Sequence, residues 1–165
     1  MKKLLTLTLV AVVAATGFAQ TQKEFVAHLV KMETAATKAF EKMDLKWFEN
    51  ASSTDFTYTA HDGTKSNKKT SMAGMSQMFG MATKLKVFQK RGDVSLKGST
   101  GTAVYDGSYH ITMKPGTDKK THVMTIKGKT KETWKKSGST WKLTNITDIG
   151  PQTYLMDGKP FNGGG

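Results

Sequence analysis

The chain has 165 residues, with 25 basic against 13 acidic side chains, a formal net charge of +12, and no cysteine. That length fits one domain, and 37% hydrophobic with 23% charged residues is too apolar for a disordered chain and too mixed for a fibrous one. Without cysteine there is no disulfide framework, no thiol catalysis and no zinc site built on thiolates.

Lys2 and Lys3 precede an apolar run from Leu4 to Ala15 and a small-residue exit at Gly17-Phe18-Ala19. This order is that of a secretory signal peptide, with cleavage expected after Ala19. The run is shorter than the ~20 residues of a spanning helix, and no later segment approaches that length, so no transmembrane segment is expected. The expected division is therefore a leader over residues 1–19, one α+β domain over 20–150 and a flexible tail over 151–165. The expected location is periplasmic or secreted, and loss of Lys2 and Lys3 leaves 23 basic against 13 acidic residues.

From Gln22 to Met43 the residues Phe25, Leu29, Met32, Ala36, Phe40 and Met43 recur at steps of four and three, one stripe of an amphipathic helix. Asp44 can N-cap a second, short helix carrying Leu45, Trp47 and Phe48. Asp55 to Ala60 alternates as a half-buried strand ending in the turn His61-Asp62-Gly63. Asn67 can cap a third helix running to about Met81, weakened by Gly74 and Gly80.

After Thr83 the period changes to two. Leu85, Val87 and Gln89 alternate with Lys84, Lys86 and Phe88, and Gly92-Asp93 marks a bulge or turn. Tyr105, Tyr109, Ile111 and Met113 share one face of the next strand, and Pro115-Gly116-Thr117-Asp118 is a turn. Met124, Ile126, Glu132 and Trp134 share a parity opposite Lys127, Lys129, Lys131 and Lys135, and Ser137-Gly138-Ser139 closes a hairpin onto the strand from Thr140 to Ile149. Helices first, then four long antiparallel strands, make an α+β domain.

This order of elements, with Lys42-Met43-Asp44 to Trp47, Asp55-Phe56-Thr57-Tyr58 to Asp62-Gly63, and Lys131 to Leu143, resembles the nuclear transport factor 2-like superfamily, in its SnoaL-like and ketosteroid-isomerase-like branch. The resemblance covers residues 22 to 149. It implies a cone-shaped, curved antiparallel sheet wrapped around a long N-terminal helix, a pocket at the open end and, in many members, a dimer. Carried over by position, the isomerase chemistry fails: Ala60 falls where the carboxylate base belongs and Ala36 where the tyrosine belongs, while Glu132 alone falls near the expected carboxylic acid.

Glu132 is the candidate catalytic residue, because a carboxyl desolvated on an apolar face has its pKa raised, with a rim carboxylate hydrogen-bonded to a tyrosine or lysine as the competing explanation. Trp47, Tyr58, His61, Tyr105, Tyr109 and Trp134 are the candidate ligand-binding residues, with ordinary core filling as the competing explanation for the inward aromatics. Met72, Met75, Met78 and Met81 invite a Cu(I) reading, but a step of three drifts around the helix, so adaptable apolar filling explains them better. His28, His61, His110 and His122 lack paired spacing, so no metal site and no cofactor are expected. The lysine stripes read as solvated strand faces, with an anionic surface partner as the lesser alternative, and no nucleic-acid motif is present.

The expected function is that of an exported, single-domain pocket protein binding a small, partly apolar ligand. The alternative is an isomerase or lyase using Glu132 with Tyr58 or His61 as acid–base groups. A further alternative is a dimerisation or assembly module.

Overall fold

In the computed structural model the backbone is described for residues 6–161 and side chains from residue 22 onward. The expected leader therefore lies outside the residues described in side-chain detail, and 162–165 lie outside the described residues altogether.

The first helix, α1 (Thr6–Glu41), ends two residues before the expected Met43, which adopts a left-handed φ of 55°. Asp44 then does what its short acceptor side chain suits it for: it takes the Trp47 amide at 3.1 Å and caps α2 (Leu45–Ala51). The chain passes without a loop into β1 (Ser52–Thr59), earlier than the Asp55 start read from alternation. The Ser52 hydroxyl donates to the Phe48 carbonyl at 2.9 Å and so satisfies the end of α2.

After the turn at Gly63 a three-residue strand, β2 (Lys65–Asn67), folds back on β1, and Asn67 caps α3 (Lys68–Met81) through the Thr70 amide. The long strands follow as β3 (Ala82–Lys97), β4 (Thr100–Met113), β5 (Val123–Ser137) and β6 (Thr140–Asp148). The β3–β4 register shifts between Arg91 and Val94, where Gly92-Asp93 is read as a bulge.

The sheet order is β2-β1-β6-β5-β4-β3. β1 runs parallel to β6, so the sheet is mixed rather than wholly antiparallel as expected.

The tail is a second correction. Residues 153–160 form β7 (Thr153–Met156) and β8 (Lys159–Pro160), and β7 pairs with the first half of β5 from Met124↔Met156 to Lys127↔Thr153. Gly150-Pro151 acts as an insertion, because β6 leaves β5 at Asp148 and β7 rejoins it at Thr153. Without β7 the first half of β5 would be an open edge.

The concave face buries two clusters. One holds Phe25 and Leu29 of α1 against Ala103, Tyr105, Trp134 and Trp141. The other holds Phe79, Ala82, Leu85, Val87 and Ile111 beneath Phe40 and Phe48. Lys127, Lys129, Lys131 and Lys135 are all exposed on the opposite face. No helix of the described residues is long and apolar enough to cross a membrane.

Candidate functional site

The two clusters do not meet. Between them lies a cavity of about 570 Å³, walled by Met32, Tyr105, Trp134 and Leu143 of the first and Phe40, Phe48, Tyr109 and Ile126 of the second. Such a volume lies within the range of small-molecule sites. Met72, Met75 and Met78 of α3 line its other wall, whereas Met81 is exposed, in keeping with apolar filling. Among the described residues no three or more histidine and carboxylate side chains are grouped as a metal site would need.

Six of the seven candidate residues line this cavity: Trp47, Tyr58, Tyr105, Tyr109, Glu132 and Trp134. His61 does not. It sits exposed on the turn closed by the Gly63 amide on the Ala60 carbonyl and by the Thr64 amide on Asp62, outside the concave face.

Sheet register explains the convergence. Glu132 of β5 faces Ala103 of β4 and Ile146 of β6. Two residues further along, Thr130 lies between Tyr105 and Asp148. Tyr105 and Asp148 are thus the diagonal neighbours of Glu132, about 7–8 Å away between strands. Tyr58 sits one strand beyond, beside Ile146.

Hydrogen bonds split the polar groups into three sets. Glu33 Oε1 accepts from Tyr105 at 3.0 Å and from Arg91 at 2.9 Å. Asp148 accepts from Tyr58 at 2.6 Å and from Gln152 at 2.9 Å, and Tyr154 in turn donates to Gln152 at 3.1 Å. Glu132 accepts only from the Trp134 indole at 2.9 Å among the described residues.

Desolvation is the main cause that raises the Glu132 pKa to about 7; the Trp134 hydrogen bond opposes it and the Glu33 charge adds to it. Burial, then the Glu132 charge, lifts Tyr109 to about 12, and the same causes in the same order lift Tyr105. Tyr58 is raised by burial and then by Asp148. At neutral pH the tyrosines are therefore hydroxyl donors, while Glu132 divides between its acid and carboxylate forms.

The sequence reading missed Glu33, Arg91, Asp148, Gln152 and Tyr154. Glu33 follows Leu29 by four residues and precedes Phe40 by seven, so it lies on the stripe already traced. Arg91 continues the parity of Val87 and Gln89, and Asp148 that of Ile146. Gln152 and Tyr154 carry no such signal, because the Gly150-Pro151 insertion resets the strand.

No family model matches the chain, and no curated protein matches it. Solved structures do match. An NTF2-like protein of unknown function in nutrient uptake from Rhodospirillum rubrum ATCC 11170 is similar at 19% identity and TM-score 0.56, over 73% of this chain and 95% of that one. An NTF2-like superfamily protein from Salmonella enterica is 12% identical with TM-score 0.56, over 84% and 93%. A hexachlorocyclohexane dehydrochlorinase (LinA) type 2 is 9% identical with TM-score 0.61, over 80% and 91%. At these identities the likeness is one of fold. The fold of the chain is thus that of the nuclear transport factor 2-like proteins.

Proposed function

We propose that the chain is an exported pocket protein that takes one small, largely apolar ligand between α1, α3 and the concave sheet. The cavity of about 570 Å³ carries this reading: aromatic, methionine and aliphatic side chains together form most of its wall, and Glu132 enters it with a single hydrogen bond among the described residues. A ligand body would stack on the rings while a polar end reaches Glu132 or the Tyr109 hydroxyl. The test is a thermal-shift screen of the purified protein against small metabolites. A ligand at a hundred times its Kd adds about 2.7 kcal/mol of stability. Failure of every compound in a broad apolar panel to raise Tm would end the reading.

Export rests on the pattern from Lys2 to Ala19. N-terminal sequencing of the protein recovered outside the cytoplasm is expected to begin at Gln20.

A second reading is a lyase or isomerase. It is favoured by the Glu132 pKa of about 7, which suits proton transfer near neutrality, and by the similarity of fold to a dehydrochlorinase. Tyr58 is a poor partner because its hydroxyl is held by Asp148, and His61 lies outside the cavity. Tyr109 is the better-placed hydroxyl donor. This reading requires that Glu132→Gln lose turnover while ligand binding persists; full turnover in that variant would end it.

A further inference from the structure

We propose that the cavity selects an organic cation, a hydrophobic amine whose ammonium group is received by Glu132 among the surrounding rings. The inference rests on the pocket reading and names its ligand class. Three carboxyls stand in or immediately behind the wall: Glu33 on α1, Glu132 on β5 and Asp148 on β6. The cations nearby are already engaged. Arg91 on β3 is paired with Glu33, and Lys68 on α3 donates to the Glu49 and Ser52 carbonyls at the end of α2.

Asp148 is held by Tyr58 and Gln152, and Glu33 by Tyr105 and Arg91. Glu132 differs. Its Oε2 takes the Trp134 indole, and its Oε1 has no hydrogen-bond partner among the described residues. A monocation at that oxygen meets an ionised carboxylate with few competing donors and aromatic faces close by, the surroundings that hold ammonium groups well. An anionic ligand would instead face the Glu132 charge with no uncommitted cation in the wall among the described residues. A neutral ligand is accommodated but gains no ion pair.

The outward charge of the chain does not decide the matter. Lys127, Lys129, Lys131 and Lys135 lie on the far face in solvent, where ionic screening acts within about 8 Å at physiological salt. Within the cavity, water is displaced and the local carboxylate dominates. Selectivity should also follow pH. Around the cavity with Glu132 stand Glu33 of α1, with Arg91 of β3 behind it, Tyr105 and Tyr109 of β4, Tyr58 of β1, with Asp148 of β6 behind it, and Tyr154 of β7. Desolvation raises the Glu132 pKa to about 7, and protonation of its carboxylate removes the attraction.

The experiment is calorimetric titration of the purified protein with 2-naphthylmethylamine, 2-naphthylmethanol and 2-naphthoate, which share one ring system. At pH 8 the amine is expected to bind at least ten-fold more tightly than the alcohol, and the carboxylate more weakly than either. The advantage of the amine is expected to shrink several-fold by pH 5.5 and to be lost in Glu132→Gln, the amine then binding no more tightly than the alcohol. Equal or tighter binding of the alcohol or carboxylate at pH 8, or an amine preference unchanged by pH, overturns the cation proposal and leaves the pocket reading standing. The pH series on the unmodified protein separates these outcomes even if the variant does not fold. Binding of none of the three at millimolar concentration overturns the cation proposal, and the pocket reading then stands or falls on the thermal-shift panel.

Discussion

The ring of Phe25 occupies the space directly above Gly101. A Cβ placed on Gly101 would come 2.3 Å from Phe25 Cζ and within 2.7 Å of its ring neighbours. Phe25 is fully buried and its ring packs on Trp141 at 4.6 Å, so it cannot swing into solvent. This contact fixes α1 on β4, and with it the position from which Glu33 reaches Tyr105.

Gly101→Ala is therefore expected to destabilise the protein by roughly 1–3 kcal/mol through overpacking, lowering Tm by roughly 3–12 °C. Phe25→Leu makes room at a cost of its own. The double variant is expected to be more stable than the sum of the single losses, by at least about 0.5 kcal/mol in a denaturant double-mutant cycle. Strict additivity would mean that the two side chains do not compete for the same space.

Much of the architecture is legible in the sequence because period and capping are local. The stripe from Phe25 to Phe40, the caps at Asp44 and Asn67 and the parity of Tyr105, Glu132 and Trp134 each rest on a few neighbouring residues. The parallel β1–β6 pairing and the return of β7 to β5 depend on which distant strand completes an edge, which no local pattern encodes. The same divide runs through the site. His61 is close to Tyr58 along the chain, but the Gly63 turn carries it off the sheet. Gln152 is drawn in only because Gly128 leaves space: a Cβ there would lie 3.0 Å from Gln152 Cγ.

Glu132 makes stability depend on pH in a stated direction. Its folded pKa of about 7 lies above the ordinary value of 4.5, so between those values the folded state keeps a proton that the unfolded state releases. Its contribution to stability is thus greatest in acid, falls as pH rises from about 4.5 to about 7, and stays low above. Glu132→Gln keeps an acceptor for the Trp134 indole but removes the buried charge. It is expected to stabilise the protein at pH 8 by on the order of 1–2 kcal/mol and to change little at pH 4.5. Urea unfolding at the two pH values checks this, and equal effects at both would show that the carboxyl is not desolvated.

The β7–β8 hairpin is tied to the rest of the chain by a charge sandwich. His122 places Nδ1 2.6 Å from Asp157 and Nε2 2.8 Å from Asp118, while the other Asp157 oxygen accepts the Val123 amide at 2.8 Å. These bonds raise the His122 pKa and lower those of both aspartates. The histidine's contribution is therefore complete below its ordinary value of 6.5 and lost as pH rises through the raised one. His122→Asn is expected to speed amide exchange in β7 relative to the unmodified protein at pH 6, with the difference closing by pH 9. Exchange followed residue by residue reads this directly, and an equal difference at both pH values would assign the effect to packing instead of charge.

Tyr58 is expected to matter more for folding than for ligand selectivity. Its hydroxyl donates to Asp148 at 2.6 Å, and Asp148 is buried with Gln152 as its other donor. Tyr58→Phe leaves the ring in the cavity wall but strips one donor from a buried carboxylate, which costs roughly 1–3 kcal/mol. Asp148→Asn in the same background removes the charge that lost its donor, so the double variant is expected to recover part of that loss. Chemical unfolding of the two single variants and the double variant measures the coupling. A Tyr58→Phe protein as stable as the parent would show that the Asp148 carboxylate is satisfied without that hydroxyl, and would release Tyr58 to act on a bound ligand.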